Sequence, residues 1–138
     1  MFNYFYSGGM GRALAVKMGL TDRPLTIIPQ IHVIVGVSVL VLVLIRLALR
    51  ASRGVPEAPG AGLARAAAIW GHRLLYALLI AVPVLGGLTW FGEIRALGDA
   101  HEILANVLLV VVAGHAIMAL VHHYVHKDGV LTRMFRAR

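Results

Sequence analysis

Residues 31–49 read IHVIVGVSVLVLVLIRLAL, nineteen positions in which only His32 and Arg46 can ionise. At 1.5 Å of rise per residue, about 20 helical residues cross the roughly 30 Å hydrocarbon core of a bilayer. The β-branched residues would favour a strand in water. In lipid, a lone strand leaves its backbone polar groups unpaired, whereas a helix pairs them internally. The run therefore predicts a membrane-spanning helix over about 31–50. Two more runs of the same character follow at 66–91, AAAIWGHRLLYALLIAVPVLGGLTWF, and at 101–125, HEILANVLLVVVAGHAIMALVHHYV. The expected fold class is an all-α integral membrane bundle with three spanning helices, forming one domain over residues 1–138. The composition, 59% hydrophobic and 14% charged, sits well away from the about 45–50% and about 25% of soluble domains.

The charges are placed as a bilayer would place them. A net charge of +7 in a soluble protein would suggest nucleic acid. Here the basic residues flank apolar runs, so the expected partner is the lipid bilayer and no nucleic acid. The 50–65 segment and the tail from 126 together carry seven Lys and Arg, whereas 92–100 carries one. The positive-inside rule then predicts a cytoplasmic C-terminus, with 92–100 facing outward. Trp70 and Trp90 sit near the ends of the second run, as interfacial aromatics do. Pro83 is expected to kink that helix, and Gly86-Gly87 to let a neighbour approach closely. No secretory leader is visible in residues 1–30.

The chain has no cysteine. That excludes disulfides, iron–sulfur clusters, thiolate zinc sites and covalently attached haem. Seven histidines remain as ligands. His115 lies deep in the third run, where an ionisable residue is costly and usually functional. His101 and His115 are 14 apart, which leaves them about 40° from eclipsed and about 21 Å apart along one helix side. That geometry suits two stacked haems; chance spacing in a His-rich segment is the alternative. His32 and His101 open their helices at the same face, so one haem iron could take both imidazoles. Gly36, one turn below His32, leaves room for a porphyrin. The plainer reading of His32 and His101 is two interfacial polar residues.

His72 is expected only about 3 Å inside its interface and His115 roughly 9 Å, a mismatch that speaks against their pairing. His72 is read instead as a contact for a haem propionate or a quinone carbonyl. His122, His123 and His126 cluster at the cytoplasmic end. His122 and His126 are spaced as a metal clip, but a solvated helix end is the favoured reading. His122, seven residues beyond His115 on the same side, is the candidate for a quinone head group. Arg46, Arg50 and Arg73 are placed to meet haem propionates, with anchoring by snorkelling as the alternative for Arg50.

These motifs together resemble the bacterial cytochrome b561 family over about residues 21–135. The pattern is His32-x3-Gly36, Arg46-x3-Arg50, His72-x2-Leu75-Tyr76, Pro83-x2-Gly86, then His101-x13-His115-x6-His122-His123-x4-Asp128 and a closing Leu131-x-Arg133-Met134. The resemblance implies a four-helix protein of the bacterial inner membrane. It implies two b-type haems and electron transfer between an outer-face donor and quinone; a superoxide-oxidising member is known. It implies His32 and His101 as ligands of the outer haem and His115 as one ligand of the cytoplasmic haem. The partner of His115 in the family lies on a first helix with a His-Trp pair. Residues 1–20 are too short and too polar to supply that helix. The chain is therefore read as beginning at an internal methionine, or as a three-helix variant that binds one haem or recruits His72.

The expected function is haem-dependent transmembrane electron transfer to the quinone pool, with superoxide or an unknown redox partner as donor. A haem-bearing membrane anchor for a larger dehydrogenase or hydrogenase is the rival, although the short 92–100 segment offers little docking surface. A third reading makes the histidines polar glue in a structural protein. A homodimer or a redox partner subunit is compatible with each. No serine–histidine or paired-carboxylate constellation lies within the spans, so hydrolysis is not expected.

Overall fold

A computed structural model describes residues 9–20, 27–54 and 62–126, apart from the side chains of Ala64 and His126. The ring of His126 and the expected basic tail beyond it lie outside the described residues, as do Pro56 and Pro59. Among the described residues four α-helices appear in order: α1 (Met10–Lys17), α2 (Ile27–Arg53), α3 (Gly62–Phe91) and α4 (Leu97–Val121). A π-helical turn, His122–His126, continues α4. The protein is a helical membrane bundle, with α2, α3 and α4 long and apolar enough to cross. At eight residues, α1 spans about 12 Å and cannot.

The helices begin earlier than the apolar runs do. α2 starts at Ile27 and takes Pro29 into its first turn, where backbone N–H groups have no helical acceptor and proline costs nothing. It stops at Arg53 because Gly54 adopts φ +73°, the left-handed conformation that favours glycine. α4 starts at Leu97, with Asp99 in its first turn opposing the positive end of the helix dipole. Hydropathy finds the segment that lipid covers, whereas helix length also depends on caps and turn geometry. Pro83 lies inside α3, which continues through it to Phe91.

α3 packs against both α2 and α4. The buried apolar side chains among the described residues are few and include Ala13, Leu14, Val43 and Leu78. Large apolar side chains instead face outward: Ile103 is 62% exposed, Val110 71% and Ile117 62%. In water such a surface would aggregate; in lipid it is the solvated face. Polar side chains within the spans bond back to their own helix. Ser38 donates to the Ile34 carbonyl at 2.8 Å, Thr89 to Leu85 at 2.9 Å and Asn106 to Glu102 at 3.0 Å.

Candidate functional site: two imidazole pairs

Four of the seven histidines meet in two pairs, one toward each end of α4. At the first end, His32 of α2 and His101 of α4 lie with ring centroids 6.0 Å apart and planes at 74°. His101 Nδ1 is 2.9 Å from the Val82 carbonyl on α3. A carbonyl only accepts, so Nδ1 carries the proton and Nε2 keeps its lone pair. This is the arrangement that orients metal-binding histidines through their other nitrogen. The ring rests against Gly86, one turn beyond Val82. A Cβ there would lie 2.9 Å from His101 Cε1. The expected close approach at Gly86 is thus made by an imidazole. A shallow apolar pocket opens beside the two rings, lined by Gly36, Gly86, Gly87 and Trp90 among others. A Cβ on Gly36 would meet nothing within 4 Å.

The connection between α3 and α4 closes this end. Lys17, the last residue of α1, donates to the Trp90 carbonyl at 2.6 Å and to the Glu93 carboxylate at 3.3 Å. Its ammonium also sits 5.7 Å from the Trp90 ring centroid. Glu93 adopts φ +56°, uncommon for a non-glycine residue. No sequence pattern announces this clasp, because Lys17 and Glu93 are 76 residues apart.

At the second end, the structure overturns the expected separation of His72 and His115. Their ring centroids are 5.1 Å apart, with planes at 78°. The reason lies in helix length. α3 begins at Gly62, so His72 stands ten residues, about 15 Å, along it rather than at its mouth. His72 Nδ1 donates to the Ala68 carbonyl of its own helix at 2.7 Å and leaves Nε2 as the basic nitrogen. Around the pair stands a group of cations. Arg46 Nε donates to the Tyr76 hydroxyl at 2.9 Å, and Arg50 lies 5.7 Å from the Tyr76 ring centroid. Arg73 stacks on Trp70 at 4.9 Å. Arg46, Arg50 and Arg73 therefore gather at the second end, with Arg73 turned along its own helix toward Trp70. His122 opens the π turn and is partly buried, while His123 packs against Tyr124 at 4.8 Å. No group of three or more metal-ligating side chains occurs among the described residues.

The first pair can be tested against haem on distance alone. Two metal–imidazole bonds of about 2 Å each, plus the half-widths of two rings, place trans imidazole centroids roughly 6 Å apart. His32 and His101 match that spacing at 6.0 Å. Imidazole pairs between bilayer-crossing helices, in a chain without cysteine, fit one class of protein: the membrane-embedded b-type cytochromes. The comparisons with known proteins are narrower. The sequence pattern of prokaryotic cytochrome b561 matches residues 3–137. Cytochrome b562 of Cereibacter sphaeroides is 39% identical over 142 aligned positions, covering all of this chain and 86% of that protein. A probable superoxide oxidase of Yersinia pestis is 34% identical, covering 76% of this chain and 73% of that one. Cytochrome b561 homolog 1 of Escherichia coli is 32% identical, covering 79% and 75%. No solved structure matches the chain significantly. The chain belongs to the prokaryotic cytochrome b561 family. It is a bacterial multi-pass membrane protein of haem b-dependent electron transfer.

Proposed function

We propose that this protein holds a b-type haem between His32 and His101 and passes electrons from a donor at that face to quinone at the other. The observation that carries the reading is the 6.0 Å spacing of two imidazoles from different helices, one of them locked in its tautomer by the Val82 carbonyl. Bound haem supplies a one-electron couple. The chain does the rest. His101 presents Nε2 because Nδ1–H is held by Val82. Gly36 leaves space beside the ring, and Gly86 lets the ring lie against α3. A haem held by both His32 and His101 would have its protein ligands already committed, which would favour electron relay over oxygen binding.

Lys and Arg counts put the His32/His101 end outward and the C-terminus in the cytoplasm. Each donor molecule gives up one electron. Two electrons and two protons convert one quinone to its quinol. If superoxide is the donor it leaves as dioxygen, a reading supported by the relative named a probable superoxide oxidase. His122, at the start of the π turn, is the candidate contact for the quinone head group. Arg46 lies 14 residues, about 21 Å, along α2 from His32, so Arg46 and Arg73 at the other end are out of reach of propionates on a haem held by His32 and His101.

Reduced-minus-oxidised spectra of the purified chain test this. We expect a b-type α band that falls by the same increment in His32→Ala and in His101→Ala, and no further in the double variant. Absence of the band, or a band at full height in both variants, overturns the reading.

A further inference from the structure

We infer that Arg46, Arg50 and Tyr76, where α2 meets α3 at the second end, form a clamp for the phosphate of an anionic phospholipid. Arg46 and Arg50 are one turn apart on α2, and both are exposed. Arg46 donates through Nε to the Tyr76 hydroxyl at 2.9 Å, which fixes how the rest of the guanidinium is presented. Its terminal NH2 groups keep their N–H donors for an oxyanion, in the planar fork that matches a phosphate. A phenol that accepts through its oxygen still has its own hydrogen to donate. Arg50 stands 5.7 Å from the centroid of the same ring. Two cations and one hydroxyl therefore converge on one spot.

The counter-charge has to come from elsewhere. α2 and α3 contain no Asp or Glu. The carboxylates among the described residues, Glu93, Asp99 and Glu102, lie in the α3–α4 connection and the first turns of α4, at the opposite end. Clustered cations at a membrane surface draw anionic headgroups. Depth and shape choose a lipid over a soluble anion. Arg46 lies three residues, about 4.5 Å, inside the apolar run that ends at Leu49, and its stem is long enough to return the guanidinium to the interface. Toward the bilayer centre, the same face of α2 continues through Leu42 and Val35, both exposed. A polar clamp above an open apolar track fits phosphate above and acyl chain below, whereas free phosphate would use only the upper half. The clamp uses neither imidazole pair, so it stands apart from the haem reading.

Native mass spectrometry of the purified full chain in detergent tests this, by titration with dioleoyl phosphatidylglycerol or with dioleoyl phosphatidylcholine. Wild type is expected to prefer phosphatidylglycerol. Arg46→Gln and Arg50→Gln are each expected to cut that preference about fivefold. Arg46→Lys, which keeps the charge and loses the fork, should fall between. Arg95→Gln, which removes the same charge at the opposite end, should leave the preference unchanged. Equal binding of the two lipids by wild type, or an undiminished preference in both glutamine variants, overturns the inference. An equal drop in Arg95→Gln also overturns it, because net charge alone would then be the cause. Inorganic phosphate that displaces the lipid at equal concentration assigns the clamp to a soluble anion instead. Haem lost from Arg46→Gln with lipid binding intact assigns the cation to a cofactor carboxylate. A lipid-free wild-type dimer that dissociates in Arg46→Gln gives the face to a second copy of the chain.

Discussion

The two imidazole pairs are built from the same helix but held by different means. At the His32/His101 end the ring orientation is tertiary: His101 crosses to the Val82 carbonyl and lies on Gly86 of another helix. At the His72/His115 end it is local: His72 bonds to Ala68 one turn back on its own helix, and His115 is exposed. A ring fixed by a neighbouring helix reports on the packing of that helix. A ring fixed by its own helix tolerates movement between helices. The first end should therefore be rigid and sensitive to packing, and the second adaptable and sensitive to charge.

The largest effect is expected from Gly86→Val. A Cβ stands 2.9 Å from His101 Cε1, and the ring cannot swing away without losing Val82. Overpacking of about 1–3 kcal/mol would weaken haem retention at the first end roughly 5- to 150-fold. Haem titration should show the weakened binding while hydrogen exchange around His72 stays at the wild-type level; equal loosening of both ends would remove the contrast between them. Gly36→Ala should act differently. Its methyl meets no protein atom within 4 Å, so helix packing is unaffected, but it enters the pocket beside the rings. Thermal melting without haem should match wild type, with haem binding at the first end about tenfold weaker, a loss of about 1.4 kcal/mol.

A smaller effect belongs to Tyr76→Phe, which deletes the hydroxyl that accepts from Arg46. The cost should be about 1 kcal/mol in stability. Thermal melting should show that loss while haem binding at the first end stays at the wild-type level. The smallest effect is expected from Lys17→Ala. The Lys17–Glu93 pair is 3.3 Å long with side chains 29% and 49% exposed, so it contributes at most about 1 kcal/mol. Its loss should lower the melting temperature slightly at low salt and less at high salt. A salt-independent drop would assign the clasp to the Lys17 bond to the Trp90 carbonyl instead.

The pairing of His32 with His101 was legible because both residues lie near the starts of helices that run in the same direction from one interface, so depth alone brings them level. The contact of Gly86 was half legible: a Gly-Gly step in a spanning helix announces close approach, but not that the visitor is an imidazole. The meeting of His72 with His115 was not legible from hydropathy, because α3 begins at Gly62, ten residues before His72 and ahead of the apolar run. Hydropathy marks where lipid begins, and a helix can extend well past that point into interface and water.

The sequence by itself determined the class of fold, the number of spanning helices and the histidines that could serve as ligands. Those follow from solvent physics, since a long apolar run in lipid has only the helix available to satisfy its backbone. Which imidazoles meet, at what spacing and in which tautomer was decided by the tertiary structure. Those depend on how far each helix runs past its apolar core and how closely α2 and α4 approach α3, and lipid, being as apolar as the side chains, does not dictate that packing.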